Sequence, residues 1–529
     1  MNPALPRRQH YERKGWVKTK SKFYITTPLY YVNASPHIGH SYTQIAVDTI
    51  SRFHRILGDD VFFMTGTDEH GEKIEKAALE DGFKEGEEKR FTDKIVPNFK
   101  RLWKDLNIEY DFFIRTTDSY HEKTVKYILD ILHKNKDIYK GEYDGWFCVP
   151  CETFWTHTQV AGDICPDCKR PLDKIKEANY FFKMSKYQKW LIAHIEKNPN
   201  FIMPDYRKNE VLSFLKNHRL NDLCVSRSKS RFKWGIELPF DKEYVTYVWV
   251  DALINYVSGP GLLRDKGKFE RYWPADLHII GKDILRHHAV YWPILLYAAG
   301  IEPPRAIFAH GWWTTKGEKI SKSKRNIVDP YYIIEKYGVD AYRYFLLRDI
   351  PFGLDGNFSE EAVVNRFNSD LANDLGNLLN RTLTMVEKYF GGKAPEHREQ
   401  STEYRKKVEM LAGKIRESMA ALNFSDTLNA IWEFINRANK SIEETAPWKL
   451  AKEKKTTELA QFIYGLLDIL RIVAISIYPF MPGSAENMWG QLGLKGFKNI
   501  KFKDVRDVGA IALGTRIKKS APLFPRIKR

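Results

Sequence analysis

Apolar positions along the first 110 residues change period several times, and each change marks an element. Phe23 to Thr27 is short, aromatic and β-branched, the composition of a buried strand. Further on, apolar residues fall at Ile45, Ile50, Phe53, Ile56 and Leu57, a helical spacing that stops at Gly58. Val61 to Thr65 reads as a second strand, and Glu72 opens another helix. Strands alternating with helices predict a parallel sheet with ligands at the carboxyl ends of its strands. Between about Asp111 and Arg231 the alternation is interrupted by what reads as an insertion. The sheet is expected to resume at 234–239 and at 247–252. A second crossover leads to the apolar His278–Ile284, followed by a helix carrying His287, His288, Tyr291 and Trp292. From about Arg366 long helical repeats with few β-branched runs predict a helix bundle that ends near 478–482.

A chain of 529 residues accommodates three or more domains. No apolar run of about 18 residues stands out, so no membrane span is expected. The formal net charge of +17 points to a polyanionic partner, and the ends of the chain sharpen the point. Met1 to Lys22 holds seven Lys/Arg against one acid, and Leu513 to Arg529 holds six against none. No hydrophobic segment follows the basic N-terminus, which excludes a secretory signal; an organellar transit peptide stays open because the segment is basic and acid-poor. Five cysteines, four of them clustered, fit a reducing compartment, and the cytoplasm is the expected location.

The chemistry-bearing residues group into a few stretches. In Tyr30-Tyr31-Val32-Asn33-Ala34-Ser35-Pro36-His37-Ile38-Gly39-His40, Pro36 has the φ of a first helical turn. That places His37 and His40 at a helix start on one face, where unpaired N–H groups attract phosphate. The tetrapeptide alone is a weak signal, since short His/Gly patterns are common. Asp68 falls just past a strand end, where it can cap the next helix or face a ligand. Cys148-x-x-Cys151 and Cys165-x-x-Cys168, thirteen residues apart, present four thiolates in the pattern of a closed structural zinc site. Cys224 has no such neighbour and reads as a small buried hydrophobe. The loop from Lys316 to Asn326 has five Lys/Arg among eleven residues and on its own is an exposed basic loop. Asn377 and Arg381, four apart, share a helical face; Trp448, following a proline, reads alone as a packing residue.

Taken together, the Tyr30–His40 stretch, Thr65-Gly66-Thr67-Asp68-Glu69-His70-Gly71 and the distant Lys319-Ile320-Ser321-Lys322-Ser323 resemble the class I aminoacyl-tRNA synthetases, and within them the methionyl-tRNA synthetase family. The resemblance runs from about Phe23 to Ile527. The family's two signatures are HIGH and KMSKS; here the second reads KISKS, with Ile for Met at a packing position. It implies an α/β fold: a Rossmann-type parallel-sheet catalytic domain split by a zinc-knuckle connective insertion, followed by an α-helical bundle anticodon-binding domain. The segments are then a basic extension (1–22), first catalytic half (23–110), insertion (111–231), second catalytic half (232–310), KMSKS-type loop and stem-contact region (311–365), anticodon-binding bundle (366–513) and basic tail (514–529).

The implied activity is ATP-dependent ligation of L-methionine to tRNA(Met), initiator and elongator, through methionyl-adenylate. Carried over residue by residue, Asp68 holds the α-ammonium. Leu29, Tyr31, Trp249, Tyr256, Ile284 and His288 enclose the side chain. Read without the family, Trp249 and Tyr256 are equally a core face of one helix, and spacing does not decide between the two. His37 and His40 contact phosphates, with Lys322 and Lys319 on the triphosphate; Glu237 and Asp283 face the ribose. Asn377, Arg381 and Trp448 read the anticodon. Cys148, Cys151, Cys165 and Cys168 hold one Zn²⁺, and Mg²⁺ accompanies ATP. The insertion is too short for the editing domain of the isoleucine, valine and leucine enzymes, and no room remains for an appended OB-type dimerisation domain, so a monomer is expected. The rivals are another class I synthetase, such as that for cysteine, a nucleotidyltransferase without tRNA activity, and an inactive tRNA-binding paralogue.

Overall fold

The computed structural model of the protein describes residues 21–155, 160, 162–166, 168–315, 318–319, 328–396 and 400–528, with the side chains of 315, 318 and 319 excepted. The basic extension therefore lies almost wholly outside the described residues. Two compact units divide the chain. The first takes the chain up to Pro36, Asp60–Arg101 and Glu109–His310; the second takes His37–Asp59, Leu102–Ile108 and the chain from Gly311 onward.

The first unit is built on a six-stranded, all-parallel sheet. Read across it, the strands are Phe112–Arg115, Asp60–Asp68, Lys22–Tyr31, Leu277–Gly281, Ile307–His310 and Ile202–Met203. A parallel sheet is covered on both faces, so its central strands are continuously apolar rather than alternating. The core shows this: Tyr24, Ile25, Phe63, Ile279, Ile280 and Ile307 are all fully buried. The strand Lys22–Tyr31 continues past Thr27, with a register shift between Thr26 and Leu29. Pro28 lies in that gap, and it has no N–H to give to the ladder.

Three pattern readings are corrected here. Residues 247–252 do not extend the sheet; they open the α-helix Val248–Ser258, all of whose 11 residues are buried. A helix buried on every side, its polar Asp251, Asn255 and Ser258 included, shows no exposed polar face to mark its period, and its β-branched start imitates a strand. Residues 234–239 contribute a single bridge, Glu237 to Val245, rather than a sheet strand. Within 111–231 the alternation does not cease, because Phe112–Arg115 and Ile202–Met203 form the two edges of the parallel sheet. The part that departs from it is an antiparallel sheet of Thr153–Trp155, Ile138–Cys148, Asp173–Phe182 and Leu223–Cys224. Cys224 is buried there as expected.

The second unit contains the 20-residue helix Ile38–Leu57, closed by Gly58 at φ 100°. The helices Asn377–Phe390, Thr402–Ala420, Phe424–Thr445, Thr456–Ile477 and Pro482–Gln491 form its bundle. Thr456–Ile477 is long and apolar enough to cross a membrane, which the sequence reading missed, yet 78% of its most apolar window is buried inside the protein. It also carries the buried Arg471–Asp468 pair at 2.9 Å, the pattern of a core helix. Arg343, fully buried, donates to Asp48 at 2.6 Å and to the carbonyls of Phe480 and Pro479; Arg52 donates to the same Asp48 at 2.8 Å. Two guanidiniums on one carboxylate, with backbone carbonyls and the Tyr478 hydroxyl accepting from further donors, satisfy the desolvated charges and fix Ile38–Leu57 to the end of the bundle. The basic C-terminal segment lies along the bundle, where the Asn368 side chain both donates to and accepts from the Ile527 backbone, at 3.1 and 2.9 Å.

Candidate active site

Asp68 ends one central strand and lies opposite Tyr31, which ends its neighbour. It does not cap the next helix, whose N-cap is Gly71 without a side-chain bond. The nearby His70 backbone amide favours the charged form of its carboxyl group, but Oδ1 is buried with no hydrogen-bond partner. Burial, followed by the nearby Asp251 and Glu152 carboxylates, pushes its pKa well above the ordinary value. A carboxyl group that burial and neighbouring carboxylates keep from ionising, with an oxygen to spare, gains most from a cation that lets it ionise. The Tyr31 hydroxyl is buried and without a partner as well.

Beside these groups stands an aromatic wall. Trp249 meets Tyr31 edge-on, with centroids 6.5 Å apart, and stacks on His287 at 3.8 Å. Tyr256, two turns along the same helix, bonds through its hydroxyl to His288 Nε2 at 2.8 Å. His288 Nδ1 is 2.9 Å from the Ile284 carbonyl. A carbonyl only accepts, so Nδ1 carries the proton and Nε2 accepts from the tyrosine. Burial drops the His288 pKa to about 4, leaving a neutral ring at neutral pH. Leu29 and Ile284 are half-buried against the same core. Trp249 and Tyr256 are buried residues of one core helix and form a wall of uncharged aromatic rings.

The sequence reading missed His287. Both its ring nitrogens are buried without partners, and burial, with His288 beside it, lowers its pKa well below the ordinary value. The histidine doublet was visible, but nothing in its spacing showed which ring would stack on Trp249. A buried chain of His70, Asp251 and His121 was missed also; its members are up to 181 residues apart.

At the start of Ile38–Leu57 the structure corrects the placing of Pro36, which precedes the N-cap rather than opening the first turn. His37 is the N-cap and His40 the third helical residue, joined in a capping box. The Gly39 amide donates to His37 Nδ1 and the His37 amide to His40 Nδ1, both at 3.1 Å. Each neutral ring must then carry its proton on Nε2, so the ring nitrogen not used in the cap is an N–H donor in both. The rings stack with centroids 4.0 Å apart. A Cβ on residue 39 would lie 3.0 Å from the His37 ring, which is why glycine stands between the histidines.

The four cysteine sulfurs of Cys148, Cys151, Cys165 and Cys168 lie within 4.8 Å of one another and could hold a metal ion. Tetrahedral Zn–S bonds of about 2.3 Å separate sulfurs by about 3.8 Å, so the donor set fits. The cluster's backbone reaches the aromatic wall: the Trp249 indole N–H donates to the Cys151 carbonyl at 3.5 Å, and the Tyr247 hydroxyl to the Glu152 carbonyl at 2.5 Å.

The remaining candidates are more dispersed. Asp283 is exposed on the turn directly after the strand Leu277–Gly281. Glu237 pairs with Lys229 at 2.5 Å, which lowers its pKa. Lys319 is in a short strand whose backbone pairs with Thr314, but its side chain lies outside what is described, as does all of Lys322. In the bundle, Asn377 is exposed at the start of its helix and Arg381, one turn on, pairs with Glu443 at 2.7 Å. Trp448 is 45% exposed, so it is not a packing residue. Ala446 at φ 47° and Pro447 in the first helical turn present it outward.

Family comparison agrees with this geometry. The model described as tRNA synthetases class I (M) matches residues 23–175 and 170–383, and that of the anticodon-binding domain of tRNA ligase matches 402–506. The methionine–tRNA ligase of Caldanaerobacter subterraneus subsp. tengcongensis is 49% identical over 517 residues, 96% of this chain and 79% of the relative. That of Thermotoga maritima is 44% identical over 519 residues, 96% of this chain and 80% of the relative. A structure of Mycobacterium tuberculosis methionyl-tRNA synthetase in complex with methionyl-adenylate superimposes with a TM-score of 0.91 at 42% identity, covering 96% of this chain and all of that one. With half its length and more matched in both sequence and fold, this chain belongs to the methionyl-tRNA synthetase family of class I aminoacyl-tRNA synthetases.

Proposed function

We propose that the protein ligates L-methionine to tRNA(Met) in two steps. The methionine carboxylate attacks the α-phosphate of ATP, releasing diphosphate and leaving methionyl-adenylate; a hydroxyl of the terminal tRNA ribose then takes the methionyl group and AMP departs. The observation that carries this reading is Asp68, a buried carboxylate with an unpartnered oxygen next to neutral aromatic surface, in a chain of this family.

Asp68 binds the α-ammonium, and Leu29, Tyr31, Trp249, Tyr256, Ile284 and His288 enclose the thioether, which suits rings that carry no charge. His37 and His40 give their Nε2–H groups to phosphate oxygens as negative charge builds in the first step, and Lys319 and Lys322 hold the β and γ groups. Asp283 accepts ribose hydroxyls; Glu237 would do so only by exchanging Lys229. Mg²⁺ accompanying ATP would supply positive charge to offset that of the phosphates. The four thiolates would hold Zn²⁺, a structural ion that orders its knuckle. Asn377 and Arg381 read anticodon bases of initiator and elongator tRNA(Met), and Trp448 stacks on one. A monomer in the cytoplasm completes the reading.

A panel of amino acids in ATP–diphosphate exchange tests it. Methionine alone should drive exchange; a signal with cysteine, or none with any amino acid, would overturn the assignment. For the bundle, Trp448→Ala should lower kcat/KM for tRNA about tenfold or more, since a stacked base is worth roughly 1–3 kcal/mol. Exchange without tRNA should not change.

A further inference from the structure

Behind Asp68 runs a buried polar chain that no step above uses. His70 Nδ1 meets Asp251 Oδ2 at 2.7 Å, Asp251 Oδ1 meets His121 Nε2 at 2.7 Å, and His121 Nδ1 meets the Ser258 hydroxyl at 2.7 Å. All four residues are at most 4% exposed. They come from three places: the loop that follows Asp68, the helix Ser119–Lys134, and the helix Val248–Ser258 that also bears Trp249 and Tyr256. At its near end, His70 stands two residues past Asp68, so its bond to Asp251 holds the loop that leaves the Asp68 strand, and its backbone amide favours the charged form of the Asp68 carboxyl group. The loop is held from outside as well, by the Gly71 amide on the Trp234 carbonyl at 3.1 Å.

We infer that this chain is a positioning device: it sets the reach between the Asp68 carboxylate and the aromatic wall, so that methionine's ammonium and thioether are met at once. The inference rests on Asp68 as the ammonium site. Asp251 accepts from one imidazole on each side, so the loop and the wall helix share a single anion and neither can shift without breaking a bond in a dry interior. Burial alone would raise the Asp251 pKa, but the flanking imidazoles outweigh it and hold that carboxylate below its ordinary range. Asp251 also reverses the effect of burial on His70, whose pKa is raised. His70, Asp251, His121 and Ser258 touch no substrate; they act through Asp68.

The test compares L-methionine with 4-(methylthio)butanoate, which keeps the carboxylate and thioether but lacks the ammonium. His121→Phe removes both imidazole bonds and keeps a ring in place. By calorimetry it should weaken methionine binding about tenfold, the scale of coupling within one network, and leave the deaminated ligand within about twofold. In an Asp68→Asn background the same change should have no further effect on kcat/KM for methionine. Ser258→Ala, which removes the last bond together with the hydroxyl's bond to the Asn255 carbonyl within the same helix, should give the same selective loss at about threefold and keeps the test open if the ring variant does not fold. Equal weakening of both ligands, or full additivity with Asp68→Asn, would overturn the inference. If Asp68→Asn alone leaves the preference for methionine over the deaminated ligand unchanged, the ammonium site itself is misassigned.

Discussion

Exchanging Asp68 for asparagine should lower kcat/KM for methionine in ATP–diphosphate exchange by roughly 10²–10³-fold, with most of the loss in KM. Removing one partner of a buried, hydrogen-bonded charge pair costs about 3–5 kcal/mol, because the remaining charge is left dry and unmatched. Asparagine keeps the shape of the side chain, so Tyr31 and Trp249 are undisturbed and the loss reports charge alone. Without substrate the effect should reverse in sign. Burial raises the folded-state pKa of Asp68, so the native state holds a proton that the unfolded chain releases near pH 4. Stability from this group therefore declines as pH rises from the unfolded pKa through the folded one. The asparagine variant lacks that slope and should melt higher than the parent at neutral pH, converging with it in acid. An asparagine variant with parental methionine KM and an unchanged pH–Tm profile would remove Asp68 from the site.

Cysteine substitution in the thiol cluster should have the largest structural effect. Structural zinc contributes on the order of 10–16 kcal/mol to the small modules it organises, and a Cys165→Ser chain would lose one of the four thiolates that could hold such an ion. Cys165 anchors its knuckle through its own backbone, donating to the Arg170 carbonyl at 2.8 Å and accepting from Lys169 at 3.0 Å. We expect the variant to release zinc to a mild chelator, to expose the other cysteines to thiol reagents, and to raise the methionine KM about tenfold. The last effect follows from the bonds of Trp249 and Tyr247 to the carbonyls of Cys151 and Glu152, which tie the aromatic wall to the knuckle. Hydrogen bonds of that kind are each worth about 0.5–1.5 kcal/mol. A zinc-free protein with native methionine affinity and protected thiols would show the cluster to be dispensable.

The elements that were legible in the sequence are those whose chemistry is local. Four cysteines in two CxxC pairs announce a cluster able to hold a metal ion before any fold is known, because the donor type and the turn between donors lie within each pair. The same holds for the strand–turn–helix that carries His37 and His40, for the Gly58 stop, and for the carboxylate at the end of Asp60–Asp68. Trp448 could not be read this way. An aromatic after proline is buried or exposed according to what packs on it, and only the folded bundle shows it open.

The sequence by itself determined which residues could do chemistry, and the parallel sheet and helix bundle that would carry them. Tertiary structure alone decided which distant groups share one interior. The helix Val248–Ser258 looked like a strand because every one of its faces is covered. The chain of His70, Asp251 and His121 joins positions up to 181 residues apart. The physical reason is common to these cases: burial and hydrogen-bond partnership are properties of surroundings, and a residue's surroundings are made by chain far from it in sequence.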